Sequence, residues 1–152
     1  MSGALSHTPS QIIRQVIIDL GHGANGGATW PVYATAEPDA PDNVITVYDT
    51  AGVKQGRQQI DGLVVLAYGL QVRVRSNDVQ TGWKKIEDIG IGLDTNVQLI
   101  SATVTDPEGY GTATQTYTVY NISRASGPFP LSDTTSDRKL FTLNLLVKIR
   151  EA

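Results

Sequence analysis

The chain has 152 residues, 40% hydrophobic and 18% charged, with 12 Lys and Arg against 15 Asp and Glu for a formal net charge of -3. That length predicts one domain over 1–152 with a core of its own. The longest basic run, Lys84-Lys85, is too small for a nucleic-acid surface of the usual cationic kind. Absence of cysteine excludes disulfides, thiolate metal sites and thiol nucleophiles, and no stretch approaches the ~20 apolar residues that span a bilayer.

Residues 1–8 read as a flexible start that includes His7, without the basic opening and apolar run of a signal peptide; a soluble, intracellular chain is expected. In "SHTPSQIIRQVIIDLG", Thr8 suits an N-cap, Pro9 the first helical position, and Gln11 completes a capping box. Ile12, Val16 and Leu20 then stack at i, i+4 and i+8, with Ile13 and Ile17 beside them, which predicts an amphipathic helix of about three turns. Gly21 and Gly23 end it, and "GHGANGG" has too many glycines for regular structure.

"TWPVYATAE" reads as a short strand, "EPDAPD" as an acidic turn, and "NVITVYDTAG" as a strand. "VKQGRQQIDG" reads as an exposed excursion. "LVVLAYGLQVRVRS" reads as one long strand bent near Gly69, or two joined there. Asn77 or Asp78 would cap a second helix over "VQTGWKKIEDIGIGLDT", with Val79, Trp83, Ile86, Ile89 or Gly90, and Leu93 on one face. Gly82, Gly90 and Gly92 each cost about 1 kcal/mol against Ala, so packing must hold this helix, and small residues would let it lie close on a sheet. "VQLISATVTD" and "TQTYTVYNISRAS" read as strands, "GPFPLSDTTSDR" as a long polar loop. "KLFTLNLLVKI" reads as a strand with Phe141, Leu143, Leu145, Val147 and Ile149 on one face. The order predicts an α+β fold: two helices packed on one face of a mostly antiparallel β-sheet.

The chain offers poor material for catalysis. His22 reads as a residue of the loop that ends the first helix, and it is the sole histidine in an ordered region. The glycine-rich loop follows a helix rather than opening one and lacks the Lys-Ser/Thr of a phosphate loop. Glu37, Asp39 and Asp42 carry oxygen ligands that suit a hard cation, but not at EF-hand spacing, and an acidic turn is ordinarily solvated. No serine sits in a G-x-S-x-G elbow. "NIS" at Asn121 reads as a chance match to a glycosylation acceptor. Trp83 reads as a core anchor; Trp30 suits either the core or a contact. The expectation is no enzyme, no metal and no cofactor.

In "LQVRVRSND", Leu70, Val72 and Val74 point one way and Gln71, Arg73 and Arg75 the other, the period of a half-buried strand. This stretch belongs to a larger pattern: "PDNVITVYDTAG", then Asp61-Gly62, "YGLQVRVRSND" leading into a helix, "YTVYNISRASGPFPLSD", and "FTLNLLVKI". In that order, from Ile12 to Ile149, the chain resembles the tail-terminator and minor capsid proteins of long-tailed bacteriophages.

The resemblance implies a virion protein at the head-proximal end of the tail, assembled in the host cytoplasm as a homo-oligomer, typically a hexameric ring. Its implied partners are the tail tube protein and a head-completion or stopper protein. DNA would pass the channel without specific binding, and no membrane is involved. Arg73 and Arg75 would then lie at a subunit boundary, forked onto a neighbour's carboxylates; the alternative is that they cover the sheet's outer face, paired within the chain or with water. The loop Gly127 to Arg138 would reach a neighbouring ring and order only there. The expected interface is therefore Arg73, Arg75, Pro128, Phe129, Pro130, Asp133, Asp137 and Arg138. Other neck or tube proteins share this pattern; a small binding module with a ligand in the sheet–helix cleft, and a hydrolase using His22, are the readings from other classes.

Overall fold

The computed structural model describes residues 5–27, 29–57, 64–95, 100–105, 114–131 and 138–151. The first helix, α1 (Pro9–Asp19), begins as the sequence dictates. The Thr8 hydroxyl accepts from the Gln11 N–H at 3.2 Å, and the Gln11 side chain accepts from the Thr8 N–H at 3.0 Å. A carboxylate from elsewhere secures the same turn: Asp49 accepts from the Ser10 N–H and hydroxyl at 2.9 and 2.7 Å. Gly21, at φ +83°, turns the chain out of the helix.

Seven strands form one sheet: β1 (Val32–Ala34), β2 (Val44–Arg57), β3 (Val64–Ser76), β4 (Ile100–Val104), β5 (Gln115–Arg124), β6 (Phe129–Leu131) and β7 (Lys139–Glu151). Their order is β1-β2-β3-β7-β5-β4, with β6 also on β7. Every pairing is antiparallel except β1 on β2. With the second helix, α2 (Val79–Thr95), this is an α+β fold. The sheet curls, since α1 touches β1 and β2 near one end of the order and β4 at the other.

β5 and β6 follow one another along the same edge of β7. β5 pairs with Leu145–Glu151 and β6 with Leu140–Thr142, while the Ala125 and Ser126 N–H groups both donate to the Asn144 carbonyl between them. Part of the expected loop is therefore a strand. Pro130 is tolerated because β6 is short and peripheral.

β2 and β3 keep pairing as far as Arg57 with Val64, but β7 leaves β3 at Tyr68 and β1 covers only Ile45–Val47. Residues 50–57 and 64–67 thus run on as a two-stranded ribbon that no other described strand flanks. Val53–Arg57, expected as an excursion, belongs to it. The bend expected near Gly69 is a bulge in the facing strand: register shifts between Thr50 and Val53, where Gly69 presses on the Thr50–Ala51 backbone.

Asp78 caps α2 through the Thr81 N–H and hydroxyl, and those bonds hold its carboxyl below the ordinary range. Gly82 lies against the Phe141 ring and Gly90 against Arg124 and Leu143, so a Cβ at either would crowd its neighbour. α2 therefore packs on the face of β7 that carries Phe141 and Leu143. One apolar cluster joins Ile12, Ile13, Val16 and Ile17 of α1 to Leu70, Val72 and Val74 of β3 and to Phe141, Leu143, Leu145 and Val147 of β7. Each such buried side chain contributes about 1.5–3 kcal/mol.

Two expectations are corrected here. His7 is not part of a flexible end: it is buried, its Nδ1 is 2.6 Å from the hydroxyl of fully buried Tyr117, and Leu5 packs on the core. Trp83 is not a full core anchor: its ring meets Phe141 edge-on at 5.9 Å yet stays 40% exposed.

Candidate functional site

β3 alternates across its pleat, so Leu70, Val72 and Val74 enter the core while Gln71, Arg73 and Arg75 share the outer face. The two arginines differ sharply there. Arg75 is 6% exposed and donates to the carbonyls of Pro41 (2.7 Å) and Asp42 (3.3 Å), with the Glu37 carboxylate 3.7 Å away. Its partners come from its own chain, the within-chain alternative rather than a neighbour's carboxylate. A buried guanidinium so provided for is costly to unpair.

Arg73 has no carboxylate partner among the described residues. Its Nη2 donates to Gln71 Oε1 at 3.0 Å, its guanidinium lies 4.9 Å from the centre of the Tyr48 ring, and its Nε is buried without a hydrogen-bond partner. Strand register sets Thr46 on one side of it and Thr142 on the other. Both threonines are fully buried, and neither hydroxyl has a partner. The next row is Tyr48, Gln71 and Asn144, where Gln71 reaches Asn144 at 3.3 Å and Asn144 reaches Ser126 at 3.2 Å. Burial, and behind it the Glu37 carboxylate, pushes the Tyr48 phenol up.

The acidic turn is solvated at Asp39 and Asp42 and enclosed at Glu37, and all three carboxylates face arginines of the same chain. Glu37 faces Arg75, while Arg138 donates through Nε to Asp42 (2.9 Å) and through Nη1 to Asp39 (3.3 Å). Arg138 is thus paired with two carboxylates of its own chain. Of the other residues expected in that loop, Phe129 and Pro130 lie in β6 and are exposed, and Pro128 precedes them half-buried. Asp133 and Asp137 lie outside the described residues, as does Asp61-Gly62. The structure therefore brings Arg73 and Phe129 into one cross-strand row, through Thr142, and sets Arg75 and Arg138 apart as clasps on the 37–42 segment.

Elsewhere the chemistry is sparse. Among the described residues no group of three His, Cys, Asp or Glu could hold a metal. His22 packs its ring over Gly92, and its carbonyl accepts from Lys85 Nζ at 3.2 Å. Burial, then the Lys85 charge, holds its pKa below the ordinary value. The Lys85 ammonium sits 5.0 Å over the Trp30 ring. An open groove of about 420 Å³ runs between Leu5–Pro9 and Leu66 and Tyr68, with His7 as its single histidine, already engaged by Tyr117. No described helix is long and apolar enough to cross a membrane.

Sequence reasoning placed Gln71 on the face of Arg73 but missed Thr46 and Thr142 as its flanks. The missing signal is cross-strand register, which a single strand's alternation does not contain. No protein-family model and no curated protein matches this chain.

Proposed function

We propose that this chain is a structural subunit of a bacteriophage tail, a terminator that closes into a homo-oligomeric ring on the head-proximal end of the tail tube. In this reading both helices cover one face of the sheet, and the sheet builds part of the wall around the DNA channel. The ring stacks on the last ring of tube protein and presents its other side to a head-completion or stopper protein. An acidic chain suits a channel wall, because a cationic one would hold passing DNA through its phosphates. No catalytic, metal or cofactor role is assigned.

The observation that carries the reading is the ribbon of residues 50–57 and 64–67, flanked by no other described strand. A two-stranded ribbon is marginal alone in water, and unpaired strand edges invite pairing with another chain. A subunit completed by its neighbours has this shape; a self-sufficient monomer does not need it.

The test is to mix the purified chain with isolated tail tubes lacking their terminator and image the ends by negative-stain electron microscopy. Single capped ends and arrested tube growth are expected. Tubes that lengthen by incorporating the chain would make it a tube protein, and bare ends at saturating protein would remove the terminator reading.

A further inference from the structure

Among the described residues five large apolar side chains stand exposed: Leu66, Val79, Trp83, Ile91 and Phe129. Three of them, Val79, Trp83 and Ile91, fall on a single i, i+4 row of α2, and the fourth member of that row is Glu87. Such rows are the ridges through which helices pack. The side of α2 that meets the sheet is a different one, made of Gly82, Ile86, Ile89, Gly90 and Leu93. The ridge is therefore about half exposed, at 50, 40 and 51% for Val79, Trp83 and Ile91, with the inner edge of the Trp83 ring on Phe141. Glu87 has no ion-pair partner among the described residues, whereas nearby Lys84 and Asp88 pair with one another at 3.6 Å and Asp94 pairs with Arg124.

The opposite side of the molecule offers the complement. Arg73 is on the sheet face turned away from α2, since its neighbour Thr142 alternates with Phe141 and Leu143. It is a half-buried cation without a carboxylate; its Nη2 rests on the neutral oxygen of Gln71, its Nε has no partner, and two fully buried hydroxyls without partners flank it. Phe129, 37% exposed, closes the same row. A carboxylate arriving at Nη2 would replace the neutral oxygen of Gln71 there with a charge-assisted contact, for which Arg is suited.

We propose that the α2 ridge of one copy docks on the outer sheet face of a second copy, with Glu87 reaching Arg73 Nη2 and Trp83 and Ile91 covering the apolar surface around Phe129 and Tyr48. The two surfaces differ and lie on opposite sides of the molecule, so the contact is heterologous. Repeated, it closes into a ring or runs on as a filament. This contact rests on the assembly reading above and names the residues that would join its subunits.

The test is a charge swap followed by sedimentation velocity over a concentration series, with circular dichroism as the check on folding. Glu87→Arg alone and Arg73→Glu alone should each weaken association by about tenfold or more, and their combination should return it to within about threefold of the parent chain. Ile91→Asp reads the same contact without touching Arg73; it should weaken association while leaving the melting temperature unchanged. If the parent chain assembles and the single reversals have no effect, or the double variant is no better than the singles, the contact is wrong and the assembly reading stands. A parent chain that remains monomeric at every concentration overturns both.

Discussion

Gly69→Ala tests the account of how β2 and β3 hold together. Gly69 is buried opposite Thr50, and a Cβ there would fall inside 3.0 Å of both the Ala51 carbonyl oxygen and the Thr50 hydroxyl. The obstacle includes backbone, so no rotamer change relieves it, and the strands must part by about 1 Å to restore an ordinary contact of ~3.5 Å. Overpacking of this kind costs about 1–3 kcal/mol. The smaller entropy of the unfolded alanine chain returns about 0.4–1 kcal/mol. At mid-range the balance is a loss of about 1.3 kcal/mol, or a fall in Tm of roughly 3–5 °C at 2–4 °C per kcal/mol for a chain of this size. Thermal unfolding followed by circular dichroism measures it, with Gly127→Ala as the control, since nothing lies within 4 Å of a Cβ at that position. A Gly69→Ala chain that melts with the parent or above it would refute the bulge as the cause of the glycine.

Tyr117→Phe removes the hydroxyl that engages His7 Nδ1 at 2.6 Å in a buried setting. Stranding that imidazole should cost about 1–3 kcal/mol by chemical denaturation; an unchanged midpoint would show that the bond adds nothing. His22 should make the fold weaken with acid. Its folded-state pKa lies below the ordinary value, so as pH falls through about 6.5 the unfolded chain takes up its proton first and stability drops. His22→Gln should flatten the Tm profile between pH 7.5 and 5.5, and an equally steep profile would assign the slope elsewhere. Thr35 is β-branched at φ +71° and exposed, a conformation that costs about 1–2 kcal/mol for most residues and less for Asn. Thr35→Asn should therefore raise Tm by a degree or more, roughly 0.5 kcal/mol, and a fall would contradict the strain.

What the sequence reveals is what neighbours in the chain decide. The Thr8–Gln11 capping box and the apolar period of α1 lie within one segment, and both are found as expected. The same is true of the alternation from Phe141 to Ile149, all of it buried. Distant partners decide the rest. His7 is ordered by a tyrosine 110 residues away. β6 is three residues long and exists because β7 offers it an edge beyond the end of β5.

Arg73 and Arg75 have the same place in the strand pattern. They part company because the 37–42 segment folds back over one and leaves the other beside two threonines. A strand's period predicts which face a side chain takes; it says nothing of what covers that face. Trp83 shows the converse, as its heptad-like spacing with Ile86 and Leu93 predicts burial but its place at the flank of α2 leaves it half in solvent.

The two clasps differ in how they hold the acidic turn. Arg75 encloses Glu37, while the single charge of Arg138 is shared between Asp39 and Asp42, whose side chains stay exposed. The pair of Arg138 with fully exposed Asp39 is screened by solvent, whereas Arg75 with Glu37 is enclosed. Arg73 shares the outer face with Lys148 and Arg150 of β7 and differs from them in lying between two fully buried threonines.

The most direct test of the central claim is the mass of the purified chain in solution, measured by light scattering across a concentration series and paired with negative-stain images of the same fractions. Closed rings of about six subunits are expected for a heterologous contact that completes its rotation. Open filaments would point to a tube protein instead, and a monomer at every concentration, with or without tail tubes, would contradict the account.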